Sequence, residues 1–505
     1  MSAAPDARPR FAGPHSLLLL AIAAAYHFAP FAWPVNRFDG GIVVVAAQRI
    51  LRGELPYVDF QTLYTPGHPY LTAAAFRVFG VLYDMASRLD FALMALQAWL
   101  AWHVAARLAG SRFVALLAFA AGLAFSYPYP SLSAAFVALM TADRAVRLGG
   151  WGRAALAGAL AGLAAWFRQD VGFAAALAVS VVLWTGTSGA SSVRLARAAV
   201  AGGAAALALA LLLAPAIVLA PSHLWDGLVA NPAATVPFRN AQGGLAAVFE
   251  QEWFFGAVAV FALAGGVLGI ARAIGHPGPK NALLAGLAVL ALWELRYLCL
   301  RPETHHLVPA GLLVGILGVT ALPRWCLLRL TAFAVCAAAI AVPLARSSAA
   351  RAAQALGRRS ASLATLGDTL PGSSTLFLPA SDAETYRRLV TRLRELVPSG
   401  GAFLSACERH DRIHDQDLLL YFAADRRAVP FDWHFDPGIT TREDVQRGIV
   451  ADCERAGVGV VVRYAGPAHD ALPAAPGASH VLDEWIAAGY RGAETFGRYE
   501  LMVRR

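Results

Sequence analysis

Apolar runs recur along the first two thirds of the chain at about 16–34, 88–107, 112–127, 130–147, 153–167, 171–186, 195–220, 253–273, 281–299, 305–322 and 326–345. A helix that crosses a bilayer needs roughly 20 such residues, so the pattern predicts eleven spans. Two further apolar stretches read as helices lying at the membrane interface rather than spans. Residues 67–82, GHPYLTAAAFRVFGVL, hold Arg77 between proline and glycine breakers. Residues 40–53 place Val43, Ala47, Ile50 and Leu51 at helical spacing, with Gln48, Arg49 and Arg52 on the opposite side.

After residue 345 the pattern changes. Residues 374–380, 401–406, 457–464 and 498–504 read as short strands, and 381–397, 415–427, 441–456 and 481–490 carry helical periodicity. The expected architecture is a polytopic α-helical membrane domain at 1–345, including a first external loop at 35–87, and a small α/β domain at 346–505.

Composition strengthens this reading, with 58% hydrophobic and 15% charged residues and a mean hydropathy of +0.53. Globular chains are about one quarter charged. Charge then sets the sides. Arg8/Arg10, Arg107/Arg112, Arg144/Arg147/Arg153, Arg194/Arg197, Arg272/Lys280 and Arg324/Arg329 occupy every second loop, which makes those loops and the N-terminus cytoplasmic. The opposite face receives residues 35–87, the YPYP turn at 127–130, FRQD at 167–170, residues 221–252, RPETHH at 301–306 and the C-terminal domain. An alanine-rich, arginine-over-lysine composition points to a GC-rich bacterial genome. The basic start of the chain also has the shape of a signal peptide, but its cleavage would leave an unpaired span count. The net charge of +9 is scattered in short clusters, which excludes a nucleic-acid partner. The five cysteines form no CxxC motif, and Cys407 and Cys453 are expected to be free.

The candidate chemistry lies on the external face. Asp39 follows the first span directly, and Gly40 and Gly41 leave room for a ligand beside the backbone. A carboxylate at the edge of a low-dielectric region is costly to ionise, and burial suits it to proton abstraction. Its alternative is a solvated acid that caps the helix at 40–53. Arg168 and Asp170 end another span, and Arg296, Arg301, Glu303, His305 and His306 sit at the junction of two more. Positive charge on this face runs against topology, and guanidinium matches phosphate oxygens. Either these groups bind an anionic head group, or the arginines satisfy themselves against neighbouring carboxylates.

In the order FDGGIVVVAAQRILRGELPYVDFQTLYTPGHPYLTAAAFRVFG, FRQDVG and RPETHHLVPA, the sequence resembles the GT-C superfamily of membrane glycosyltransferases. It resembles especially the bacterial branch related to protein O-mannosyltransferases and lipid A aminoarabinose transferases. The resemblance implies periplasmic transfer of a sugar from a polyprenyl-phosphate donor to a lipid, polysaccharide or protein acceptor, usually with inversion. It assigns Asp39 as general base; because Gly40 stands where many relatives have glutamate, the function of a second adjacent acid is either missing or supplied by Asp59 or Asp170. Arg168, Arg301, His305 and His306 would hold the donor phosphate, and Tyr57, Tyr64 and Glu303 would contact substrate. No metal is required for a phosphate leaving group met by cations, although Asp39, Asp59 and Asp170 could hold Mg or Mn if they converge.

A transporter or flippase of lipid-linked sugars would show internal repeats and mid-membrane polar groups, and neither is apparent. A non-catalytic envelope-assembly scaffold is the remaining alternative. In the C-terminal domain, His410 and His414 of CERHDRIHDQD are spaced for zinc but lack a third ligand, so a solvated helix start is expected. PFDWHFDPG at 430–438 reads either as an exposed loop that grips an acceptor or as a structural turn.

Overall fold

The computed structural model describes residues 13–29, 37–109, 112–240, 245–300, 302, 304–320, 327–355, 363–367, 372–412, 416–466, 475 and 477–505. Its contacts form two compact units. One comprises Met1–Phe31, Asp90–Leu213 and Arg239–Leu356; the other comprises Ala32–Leu89, Ala214–Phe238 and Gly357–Arg505.

The first unit is helical, and each predicted apolar run overlaps a helix. Five described helices are long and apolar enough to cross a membrane: Tyr83–Leu108, Gln169–Gly186, Ser191–Leu212, Trp253–Gly275 and Pro279–Leu300. Small residues bring these helices together. A Cβ on Gly158 would lie 2.0 Å from the Ala201 carbonyl oxygen, and one on Gly172 would lie 2.1 Å from the Ala165 Cα. Large apolar side chains such as Leu211, Val267 and Ile274 point outwards instead. Lipid is as apolar as leucine, so packing at short range, rather than burial of bulk, holds such helices together.

In the second unit, β1 (Leu363–Thr365) pairs antiparallel with β2 (Phe377–Pro379). A mixed sheet contains β3 (Leu404–Cys407), β4 (Val460–Tyr464), β5 (Tyr490–Phe496) and β6 (Tyr499–Arg504) in the order β3-β4-β6-β5, with only β3 and β4 parallel. Helices Ala380–Leu396, Glu443–Arg455 and Val481–Gly489 match their predicted positions, while Leu419–Ala424 is shorter than predicted. β5 was not expected. Its sequence YRGAETF has little strand preference, and a register shift at Gly492/Glu494 marks it as an irregular edge strand.

The two first-loop helices are present as Asp39–Leu51 and Gly67–Phe79. The second exposes Val78 and Phe79. The first departs from expectation, because its polar side is covered at two of three positions, with only Arg52 exposed. Gln48 and Arg49 are buried, and Val44–Ala47 join Phe60, Tyr386, Leu418–Tyr421 and Trp433 in one core.

Candidate active site

Asp39 begins helix Asp39–Leu51 and is exposed. The burial that would suit it to proton abstraction is therefore not provided by the protein; its carboxylate lies where helix N–H groups favour negative charge. The segment around it is anchored on both sides. The Arg37 carbonyl accepts from the Leu419 N–H at 3.2 Å, and a Cβ on Gly41 would meet Leu418 Cβ at 2.6 Å. Gly41 thus makes room for the Leu418–Leu419 backbone rather than for a ligand. The Arg37 guanidinium donates to Asp382 at 2.8 Å and to the Tyr464 hydroxyl at 3.0 Å, and its Nε lies 3.9 Å from Asp417. Tyr386, Tyr464 and Tyr499 surround it with ring centroids 5.7–5.9 Å away. The Tyr499 hydroxyl donates to Asp417 at 2.7 Å, and burial pushes that carboxyl up to about 6 despite Arg37. Nothing in the local sequence signals this cage, whose members come from residues 37 to 499.

The turn after the helix is equally fixed. Arg49 pairs with Glu54 at 2.6 Å, donates to the Asp59 carbonyl, and stacks over Phe60 at 4.6 Å. The Asp59 carboxylate accepts from the Leu55 N–H at 2.7 Å, which closes the turn. Tyr57 has φ +66° and is fully buried, with its ring against Gly227 and its hydroxyl donating to the Tyr64 carbonyl. Tyr57 is therefore enclosed rather than presented to a ligand, and Tyr64 is half-buried.

In the first unit, Arg168 is the single extended residue between helices Trp151–Phe167 and Gln169–Gly186. Its guanidinium grips Asp170 with two hydrogen bonds of 2.9 and 3.3 Å. The same group lies 4.4 Å from the Tyr297 ring centroid and 5.7 Å from that of Tyr129, the last tyrosine of the YPYP turn. Buried His306 packs edge-on against Tyr297 at 4.2 Å. Glu294, buried one turn before Tyr297, is within electrostatic reach of Asp170, Arg168 and Arg296. The self-satisfied Arg–Asp pair foreseen as the alternative for Arg168 is thus formed, and aromatic faces hold it in place. Sequence reasoning missed Tyr129, Glu294 and Tyr297; their signal was aromatic or acidic character at the ends of apolar runs. Arg301, Glu303 and the side chain of His305 lie outside the described residues.

The C-terminal clusters are structural in character. His410 is buried, pairing through Nδ1 with Asp483 at 2.7 Å while Nε2 accepts from the Cys407 N–H, so it is not part of a solvated helix start. His414 lies outside the described residues. Burial tends to raise the Asp483 carboxyl, but hydrogen bonds from His410 hold it below its usual range. Asp411, His480 and Asp483 bring three ligand-type atoms within 4.8 Å of one another, the one such grouping among the described residues. Arg409 already holds Asp411 as His410 holds Asp483, so a cation there would compete with two existing pairs. Trp433 and His434 are buried, the Trp433 Nε1 donating to the Gln61 carbonyl at 2.9 Å, which makes PFDWHFDPG a structural turn. Cys407 and Cys453 are buried and free.

Among solved structures, the chain is similar to ArnT from Cupriavidus metallidurans bound to undecaprenyl phosphate, with a TM-score of 0.57, 15% identity, and coverage of 97% of this chain and 98% of that one. The apo state of ArnT aligns with a TM-score of 0.50 and 14% identity over 96% and 97% of the two chains. The arabinofuranosyltransferase AftD from Mycobacteria aligns with a TM-score of 0.47 and 14% identity, over 97% of this chain and 40% of that one. No family model matches the sequence, and no curated protein matches it. The fold is that of the GT-C glycosyltransferases, whose motifs the sequence resembles.

Proposed function

We propose that the chain is a GT-C glycosyltransferase that moves a sugar from a polyprenyl-phosphate donor to a hydroxyl acceptor of the bacterial envelope. The observation that carries this reading is the likeness to ArnT along nearly the whole chain. In the proposed topology eleven helices span the inner membrane, with the first loop and C-terminal domain on the periplasmic side.

The acceptor hydroxyl transfers its proton to Asp39 as its oxygen bonds to the anomeric carbon. The bond from that carbon to the donor phosphate oxygen breaks on the opposite face, and its electron pair leaves with polyprenyl phosphate, inverting the centre. Arg168 and His306, with Arg301 and His305, stabilise the growing phosphate charge. Asp170 orients Arg168, Asp59 fixes the turn that follows Asp39, and Tyr64 and Glu303 contact substrate. The chemistry requires no metal; Mg or Mn would serve only as a further counter-charge.

The test is mass spectrometry of envelope glycans and lipids from cells with the wild type, Asp39→Asn, or no copy. One glycoform is expected to vanish in the null strain and to fall about 10²–10⁴-fold in rate with Asp39→Asn, at unchanged membrane abundance. A wild-type profile from the Asn variant would remove Asp39 as the base.

A further inference from the structure

A cleft of about 880 Å³ opens at the loop ends of the first unit, away from Arg168 in sequence and lined by different residues. Arg147 and Leu148 end one helix there, Thr185 and Gly186 end another and Thr187–Gly189 lead on from it, Arg194 lies in the first turn of Ser191–Leu212, and Pro277–Pro279 lead into Pro279–Leu300. We propose that this cleft binds the phosphate of an anionic membrane lipid.

Three observations converge on an anion. Thr187 is only 6% exposed, and its Oγ1 has no hydrogen-bond partner among the described residues, although a buried hydroxyl needs one. The Arg194 Nε is likewise buried without a hydrogen-bond partner, and Arg194 forms no ion pair among the described residues; its guanidinium lies 5.9 Å from the Trp184 ring centroid. Arg147 is neutralised only in part, because it shares Asp143 with Arg107. Helices Ser191–Leu212 and Pro279–Leu300 also start at the rim with no acid in their first turns, which leaves N–H groups and positive dipole ends there.

The surroundings favour a lipid over a dissolved anion. Leu148 lines the opening and is exposed, and Trp151, Trp184, Val193 and Leu195, close in sequence to the lining residues, are exposed as well, as acyl-chain and interfacial contacts should be. Basic clefts between membrane helices are suited to anionic head groups.

Native mass spectrometry of the purified full chain, titrated with phosphatidylglycerol in detergent, tests the assignment. Saturable binding is expected, weakened about tenfold by Arg194→Gln and by Thr187→Val, and unchanged by Arg272→Gln. Phosphatidylcholine should bind far more weakly, and millimolar inorganic phosphate should not displace the lipid. Displacement by inorganic phosphate would reassign the cleft to a soluble anion and overturn the lipid source. Wild-type affinity in both variants, or equal binding of phosphatidylcholine, would overturn the site itself. If Arg194→Gln fails to fold, Thr187→Val, which removes only the hydroxyl's hydrogen bonding, decides alone.

Discussion

Of the eight largest fully buried side chains among the described residues, Phe136 alone belongs to the first unit, whereas Trp433, Tyr57, Tyr386, Tyr421, Phe60, Phe76 and Phe403 belong to the second. The first unit fills its core with alanine, glycine and leucines such as Leu132, Leu139, Leu183 and Leu283, and exposes other large apolar side chains such as Leu211, Val267 and Ile274. The second encloses aromatics together with Asp417, Arg49, His410 and Gln446. Lipid and water favour these two patterns respectively. Lipid gives no reward for hiding bulk and punishes an unpaired polar group, so helices gain by close approach. Water rewards burial of large rings, whose shape then leaves room for polar networks that must be fully satisfied.

The strongest test of this contrast is Arg37→Met. It strands a fully buried Asp417 beside two tyrosines, and should cost about 3–5 kcal/mol in the second unit. Hydrogen exchange on the full chain should show β3, β4 and β6 losing protection while Trp151–Phe167 and Ser191–Leu212 keep theirs. Equal loss in both units would mean that they do not respond separately.

A smaller effect is expected from pH. Burial, opposed by Arg37, raises the Asp417 carboxyl from 3.8 to about 6, so the folded chain holds this proton more tightly than the unfolded one. The stability gained is complete below about pH 4 and is lost as pH rises through 6, by up to about 3 kcal/mol. Asp411 and Asp483, held below 3.8, act in the opposite sense at lower pH. Asp417→Asn should flatten the change in protection of β3 and β4 between pH 4.5 and 6.5, and an unaltered slope would exclude Asp417 as its source.

The first unit offers the smallest test. Gly158→Ala must displace the Ala201 backbone and should cost about 1–3 kcal/mol, read as a lower melting temperature in detergent. An unchanged melting temperature would show that close approach matters less there than inferred.

Much of this architecture was legible in the sequence, because apolar periodicity and loop charge report on the solvent along each helix. The helices after Asp39 and Gly67, and the strands near 404, 460 and 499, were legible for the same reason. The burial of Gln48 and Arg49 was not, since a polar stripe looks the same whether water or another protein surface covers it. Nor was the Arg37 cage, whose partners lie more than 340 residues away. At the candidate site, Arg168 and Asp170 stood out as charges against the topology. Tyr129 and Tyr297 did not, because aromatic residues are common wherever apolar runs end.

The Arg37 anchor also imposes an order on synthesis. Asp39 leaves the ribosome early, but the residues that fix its segment, from Asp382 to Tyr499, are among the last to be made. Nearly every membrane helix can therefore be in place while the acid is still untethered. The segment that carries Asp39 is thus fixed only once the last strand has been made.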